Sequence, residues 1–222
     1  MDGLHQAALD LRYLLGRGYP RPGALTFVGN RYQLPREDRD VLNRGVYPTA
    51  EAAARRARLR GPDAIRGRCV GVDGHNVLIT LESALLGRRL IRCDDGLIRD
   101  ATGAAASYRP SETTDSALDM IMDYLRDRSA GSVLFLLDAP MSCSGELAAQ
   151  VRAVLAGRGM MGRARAAGDP DFELATFSGL VATSDSVLVD RAAEPLDLAG
   201  CIIRERMPEA ILESLDGPGG SE

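Results

Sequence analysis

The sequence contains no lysine, so all 27 of its basic residues are arginine. This excludes a P-loop lysine, a Schiff-base lysine and the lysine of haloacid-dehalogenase-type phosphatases. Only two histidines, His5 and His75, accompany four widely spaced cysteines that form no CxxC pair. Such spacing argues against a zinc site and against a disulfide framework. Carboxylates, hydroxyls and arginines are therefore the side chains left to carry chemistry.

Long apolar runs are also missing from the sequence. No run reaches the length that a bilayer-spanning helix needs, and residues 1–15 carry Asp2 and Asp10 in an amphipathic pattern that differs from a signal peptide. An apolar content of 45% with 26% charged residues is ordinary for a globular protein. We therefore expect a cytoplasmic protein without membrane contact.

Charge is distributed unevenly along the chain. Residues 1–68 carry 13 arginines against 7 acidic residues, whereas residues 69–222 carry 14 arginines against 24 acidic residues. This asymmetry fits a basic part that grips a polyanion and an acidic part that holds a cation, but two solvated surfaces would give the same pattern. Arg55 and Arg56 begin an arginine-rich run that we predict to bind RNA phosphates, the alternative being a solvated helix face.

The hydrophobic pattern divides the chain into parts. Residues 1–66 show apolar residues at helical spacing and are predicted to form a small basic helical module. Residues 67–215 alternate short apolar runs with helical segments, which is typical of an α/β domain with helices on both faces of a mostly parallel sheet. A hairpin is predicted around Asp95-Gly96, a last helix at Pro208–Leu215, and a disordered tail at residues 216–222.

Three aspartates, Asp73, Asp138 and Asp185, come at or just after the ends of predicted strands. Carboxyl ends of parallel strands meet at one edge of a sheet, so these side chains are expected to converge. Converging carboxylates raise one another's pKa unless a cation lies between them, and an oxygen-only ligand set favours Mg²⁺ or Mn²⁺. Each aspartate taken alone could instead form a turn or cap a helix.

Polar residues next to these aspartates extend the predicted site. Asn76 follows Asp73 in the first turn of a helix, and Ser184 precedes Asp185, so both could orient a carboxylate or a phosphate oxygen. Asp190 comes five residues after Asp185 and could be a further metal ligand or a cap on a surface helix.

Three motifs in this order resemble the PIN superfamily of metal-dependent ribonucleases, especially its NYN branch. They are Asp-Gly-His-Asn from residue 73, Leu-Leu-Asp-Ala from residue 136 and Ala-Thr-Ser-Asp from residue 182. The resemblance covers roughly residues 68–205 and implies a three-layer, PIN-like α/β/α fold that hydrolyses RNA with Mg²⁺ or Mn²⁺. Those nucleases carry another acid on a helix, for which the candidates here are Glu82, Glu112, Asp171 and Glu173. The whole chain also resembles a two-part prokaryotic family of domains of unknown function.

The sequence therefore predicts a Mg²⁺- or Mn²⁺-dependent ribonuclease in which Asp73, Asp138 and Asp185 hold the ion. RNA is the expected partner, and nucleases of the resembled kind often form homodimers. The alternative is a non-catalytic RNA-binding protein with a degenerate PIN-like fold. A phosphatase on a different doubly wound sheet is disfavoured by the absence of lysine.

Overall fold

The computed structural model describes residues 3–102 and 108–215, so the predicted tail lies outside the described residues. Its helices are α1 (Gly3–Gly16), α2 (Arg21–Arg31), α3 (Arg36–Gly45), α4 (Thr49–Arg58), α5 (Gly74–Leu85), α6 (Glu112–Asp127), α7 (Ser144–Gly157), α8 (Pro170–Ala175), α9 (Ser186–Arg191) and α10 (Leu198–Arg206). Its strands are β1 (Cys69–Asp73), β2 (Leu90–Arg92), β3 (Ile98–Asp100), β4 (Ser132–Asp138), β5 (Gly162–Ala167), β6 (Leu180–Ala182), β7 (Glu194–Leu196) and β8 (Leu212–Ser214). Within the described ranges, no helix combines the length and apolarity that a membrane span requires.

The chain folds into two compact units that are not two consecutive halves. The described residues of the first unit fall in Met1–Ala57, Arg88–Gly103 and Ile211–Glu222, and those of the second in Arg58–Gly87 and Ala104–Ala210. The hydrophobic pattern of the sequence instead predicts one boundary near residue 66, with the two later segments of the first unit in the α/β domain. Strand pairing between distant segments, which local pattern does not reveal, accounts for this difference.

In the first unit, the helices α1 to α4 are accompanied by a small sheet of order β3-β2-β8. The predicted hairpin is confirmed, because β2 and β3 pair antiparallel with Leu90 opposite Asp100. The predicted last helix is wrong, since none of residues 208–215 is helical and residues 212–214 form β8, which pairs parallel with β2. Backbone pairing to an existing strand here overrides the helical spacing of the apolar residues.

A buried ionic cluster in the first unit contains Arg55, which was predicted to bind RNA. The side chain of Asp95 is fully buried and accepts hydrogen bonds from both terminal nitrogens of Arg99, at 2.9 and 2.8 Å. Arg55 is 5% exposed, pairs with Asp95 at 3.4 Å and with Glu51 at 2.5 Å, and lies over the Tyr47 ring. The prediction for Arg55 is corrected accordingly, because a guanidinium buried among these partners is not presented to a phosphate backbone.

The second unit is built on a five-stranded sheet of order β5-β4-β1-β6-β7 in which all neighbouring strands are parallel. Side chains alternate between the two faces of each strand. On one face, Leu136 and Val181 pack with Leu174 of α8 and Leu188 of α9. On the other face, α5 approaches β4 and contacts α6 and α10. The predicted α/β fold with helices flanking a parallel sheet is confirmed.

One glycine allows the close approach of α5 to the sheet. A Cβ atom on Gly74 would lie 2.4 Å from Cε1 of Phe135 and 2.7 Å from the carbonyl oxygen of Leu136. Real Cβ atoms do not tolerate such distances, and one of these neighbours is backbone, which cannot move aside cheaply. The glycine that follows Asp73 therefore sets how closely α5 can pack behind the strand-end aspartate.

Candidate functional site

The carboxyl ends of β1, β4 and β6 lie side by side at one edge of the five-stranded sheet. Asp73 ends β1 opposite Leu136 of β4, and Val72 is opposite Ala182 of β6. Asp138 ends β4, and Asp185 is the N-cap of α9, three residues beyond β6. The strand order therefore delivers the three predicted aspartates to the same edge, where open α/β sheets bind ligands.

Asp73 is held in a buried position by Thr183, a residue of the Ala-Thr-Ser-Asp motif for which the sequence predicts no role in the site. Asp73 is 6% exposed, and Thr183 Oγ1 donates a hydrogen bond of 2.7 Å to its Oδ2. Thr183 Oγ1 in turn accepts a hydrogen bond from the backbone N–H of Asp185 at 3.0 Å. A single hydroxyl thus links the end of β1 to the segment after β6 and fixes the direction of the Asp73 carboxylate.

The aspartates of this edge act on one another electrostatically. The pKa of Asp73 is raised to about 7, mainly by burial; the Thr183 hydrogen bond opposes this shift, and the charges of Asp171, Asp138 and Asp185 add to it. Burial also raises the pKa of Asp171, followed by the effects of Asp185 and Asp138. We call these four residues the aspartate cluster, in which Asp138 and Asp185 are near enough to Asp73 and Asp171 to disfavour the ionised forms of those two.

Asp171 is the acid that the structure adds to the three predicted ones, and it was one of the four candidates for a helical acid. It lies on α8, shortly after β5 ends at Ala167. The other candidates have different surroundings: Glu82 accepts hydrogen bonds from Tyr108 and Thr114, and Glu173 pairs with Arg165. Glu112 opens α6.

Asp138 contacts His75 through both its side chain and its backbone. Nδ1 of His75 lies 2.9 Å from Oδ2 of Asp138 and accepts a hydrogen bond of 3.0 Å from the Asp138 backbone N–H. The His75 side chain is 3% exposed, whereas the Asp138 side chain is 40% exposed. Burial lowers the pKa of His75, and its contact with Asp138 opposes that effect. His75 is therefore a buried residue of α5 that lies against Asp138, a position that its place in the Asp-Gly-His-Asn motif does not reveal.

Asn76 and Ser184, both predicted to orient ligands, contact each other. Ser184 Oγ donates to Oδ1 of Asn76, which is half-buried on the first turn of α5. This bond joins α5 to the segment that carries Asp185, close to the link made by Thr183. It leaves the Asn76 amide nitrogen as the donor that this pair could offer to a carboxylate or a phosphate oxygen.

Asp185 is both a helix cap and a member of the aspartate cluster. Its Oδ1 accepts a hydrogen bond of 2.9 Å from the backbone N–H of Leu188, so the capping interpretation of this residue also holds. Asp190 lies exposed on α9, and its charge is not among those that raise the pKa of Asp73 or Asp171. The structure therefore brings Asp171, rather than Asp190, to the other three aspartates.

Arg56 belongs to the first unit and is exposed, as its predicted role requires. Its Nη1 donates to the backbone carbonyl of Asp94, so the guanidinium is partly engaged within its own unit. Its predicted contact with RNA stays a prediction.

Proteins bind divalent cations either in a closed cage of protein ligands or as hydrated ions held by one or two carboxylates, and the aspartate cluster fits the second arrangement. In residues 3–102 and 108–215, no group of three or more His, Cys, Asp and Glu side chains is arranged to hold a metal ion by itself. A closed protein cage of the Ca²⁺ type is therefore not present in these residues. Mg²⁺ is usually held by one or two carboxylates, with waters and substrate phosphates completing its shell, and this mode suits Asp138 and Asp171, which remain accessible.

We expect Asp73→Asn to make the protein more stable at pH 8 in the absence of divalent cations. The raised pKa means that ionising Asp73 costs stability as the pH rises from about 4 to about 7, so below that window the two proteins should be equally stable. Since one pKa unit corresponds to about 1.4 kcal/mol, a shift of about three units gives a gain at pH 8 of up to about 4 kcal/mol. Urea unfolding at about pH 3.5, below the window, and at about pH 8 measures it, and a variant less stable than wild type at the higher pH would contradict the electrostatic account.

Both parts of the chain match known protein families, and both families are of unknown function. Residues 62–201 match the family described as "Domain of unknown function (DUF5616)", and residues 3–58 match "Protein of unknown function (DUF434)". The chain is also similar to "Uncharacterized protein MJ0935" of Methanocaldococcus jannaschii, at 33% identity over 186 residues that cover 84% of this chain and 88% of that protein. No solved structure matches the chain. The predicted resemblance to a two-part family of unknown function is thereby confirmed.

Proposed function

We propose that this chain, which belongs to the family described as "Domain of unknown function (DUF5616)", is a cytoplasmic, Mg²⁺- or Mn²⁺-dependent ribonuclease of the PIN-like kind. The observation that carries the proposal is the aspartate cluster, which lies where parallel strands of the sheet end and in which burial, together with the charges of three other aspartates, raises the pKa of Asp73. Buried like charges are costly, and a fold keeps them where a cation or a reaction uses them.

The side chains of the cluster have different parts in this proposal. Asp138 and Asp171 are accessible enough to bind a hydrated cation directly. Asp73, held by Thr183, would contribute its negative charge from a buried position. The chemistry that a bound divalent cation would supply there is activation of a water nucleophile at neutral pH and stabilisation of the leaving oxygen of a phosphodiester. The Asn76 amide nitrogen, oriented by Ser184, would donate to a non-bridging phosphate oxygen.

Cleavage of a 5′-labelled RNA in the presence of Mn²⁺ tests this function. The proposal expects cleavage by the purified protein that EDTA stops and that added Mn²⁺ or Mg²⁺ restores. If the protein binds Mn²⁺ but cleaves neither RNA nor DNA, the proposed nuclease activity is contradicted.

The second candidate function is RNA binding without turnover. One observation favours it: among the described residues, no three acidic side chains are placed to share one ion. RNA binding that persists in EDTA, without any cleavage when Mn²⁺ is added, would select this function over the first.

We predict that RNA bound at the cluster lies against Phe172. This residue is 57% exposed on α8 next to Asp171, and aromatic side chains beside a phosphate-binding site commonly stack on unpaired bases. The chain has no tryptophan, so Phe172→Trp introduces a single indole whose fluorescence reports on stacking. Single-stranded RNA should quench this emission substantially in the presence of Ca²⁺, used here as a cation that supports binding with little turnover.

Met161→Trp is the matched control for that experiment. Met161 is 75% exposed and immediately precedes β5, at the edge of the sheet opposite the aspartate cluster. Its indole should respond little to RNA. Equal quenching of both variants would indicate nonspecific binding and would contradict an RNA path across α8.

A further inference from the structure

His75 makes a pair of contacts with Asp138 that one neutral imidazole nitrogen cannot satisfy at the same time. Nδ1 is 3.0 Å from the Asp138 backbone nitrogen, to which it must offer a lone pair, and 2.9 Å from the Asp138 carboxylate, to which it must offer a proton. The two neutral tautomers therefore serve one contact each. In either tautomer, the same ring atom constrains Asp138 and leaves its carboxylate little freedom to turn.

The other side of the ring is fixed by packing rather than by hydrogen bonds. Nε2 is buried and has no hydrogen-bond partner among the described residues. The ring meets Tyr108 edge to face, with centroids 5.4 Å apart and planes at 74°. The Tyr108 hydroxyl donates to Glu82, which also accepts from Thr114, so the tyrosine that supports the imidazole is itself anchored on both α5 and α6.

A buried polar nitrogen without a partner costs folding free energy, and an apolar residue of similar shape would avoid that cost. The fold nevertheless places a histidine at the second position of α5, directly against one strand-end aspartate. The only polar contacts that its ring makes among the described residues are those with Asp138. We therefore connect the free-energy cost of burying His75 Nε2 with the one polar task that the ring performs, which is to hold Asp138.

We propose that His75 is a positioning residue that fixes the Asp138 carboxylate at the aspartate cluster. The consequence for cation affinity rests on the proposed function, whereas the hold on Asp138 does not. In metal sites, residues that orient a ligand in this way change metal affinity about 10- to 100-fold when they are removed.

Two substitutions separate the polar contact from packing. His75→Phe keeps an aromatic ring against Tyr108 but removes Nδ1. His75→Asn loses the ring but places an amide near the same position, with an oxygen that can accept from the Asp138 N–H and a nitrogen that can donate to its carboxylate. A purely structural role predicts that Phe preserves the properties of the site and that Asn does not, and the positioning role predicts the reverse.

The test uses the full-length protein and two readouts. Amide hydrogen exchange at Asp138 should accelerate at least tenfold in His75→Phe and stay within about threefold of wild type in His75→Asn. The Mn²⁺ dissociation constant, followed by electron paramagnetic resonance, should rise about 10- to 100-fold in His75→Phe and change little in His75→Asn. Unfolding in urea identifies any variant that has lost its fold.

The outcomes are distinguishable. Unchanged exchange at Asp138 in a folded His75→Phe, or a larger effect of His75→Asn than of His75→Phe, would overturn the proposal for His75. If wild type binds no Mn²⁺ while the exchange pattern is as expected, the positioning role stands and the proposed function fails.

Discussion

Replacing Asp73 with asparagine should reduce Mn²⁺-dependent RNA cleavage by about 100- to 1,000-fold, the range typical of losing one preorganised electrostatic stabiliser. Asp73 is the most buried member of the aspartate cluster, and in the proposed function its charge would strengthen the attraction of a divalent cation to Asp138 and Asp171. The amide keeps the shape and can still accept from Thr183, so the fold should survive. Single-turnover cleavage rates of wild type and Asp73→Asn give the measurement.

Asp190→Asn is the matched control for this loss. Asp190 lies within the same unit and was also predicted to bind metal, but it is exposed on α9 and does not raise the pKa of Asp73 or Asp171. Its substitution should leave the cleavage rate within about threefold of wild type, as expected for a charge outside the first coordination shell. Comparable losses in both variants would show that the aspartate cluster is not the catalytic centre.

Asp95→Ala should destabilise the first unit by about 3–5 kcal/mol, the range typical of removing one partner from a buried ion pair. Asp95 is fully buried and pairs with Arg99 through two hydrogen bonds and with Arg55 at 3.4 Å. Its loss leaves two guanidinium groups inside the unit beside Tyr47. Urea unfolding monitored by far-ultraviolet circular dichroism measures the change.

Asp40→Ala provides the surface comparison in the same unit. Asp40 pairs with Arg36 at 3.8 Å with half of its side chain exposed, and pairs of this kind contribute about 0–1 kcal/mol. A loss of less than about 1 kcal/mol in Asp95→Ala would mean that the buried cluster is hydrated or rearranges, against the packing described here.

The parallel sheet and its strand-end aspartates could be predicted from the sequence because each signal is local. A run such as Val133–Leu137 has the length and β-branched or apolar character of a buried strand, and the aspartate that follows it marks the carboxyl end. The order of Asp73, Asp138 and Asp185 along the chain then suffices to place them at one edge, given a parallel sheet.

Asp171 is harder than the other three aspartates to predict as a site residue, because the strand before it, β5, gives only a weak signal in the sequence. The β5 sequence Gly-Arg-Ala-Arg-Ala-Ala has little apolar character, since β5 is an edge strand that exposes Arg163 and half-exposes the Arg165 side chain. Its alternation of small and charged residues is nevertheless the period-two signal of an edge strand, and it would have identified Asp171 as a further strand-end acid.

The composition of the first unit could not be read from local pattern at all. Its sheet combines a hairpin at residues 90–100 with a strand at residues 212–214, and most of the sequence of the α/β unit comes between these two segments. The buried role of Arg55 has the same origin, because its partner Asp95 is 40 residues away in the chain. An arginine-rich helix in isolation looks like a solvated or RNA-binding surface, and only the folded unit shows which guanidinium is buried.

Mn²⁺ binding to the purified wild-type protein, compared with Asp73→Asn and Asp171→Asn, tests the central claim most directly. Electron paramagnetic resonance counts free Mn²⁺ during a titration and needs neither RNA nor turnover. The account predicts saturable binding by wild type that weakens at least tenfold in each variant, because each removes charge from one cluster. Binding that is unaffected by either substitution, or no binding by wild type at millimolar Mn²⁺, would contradict it.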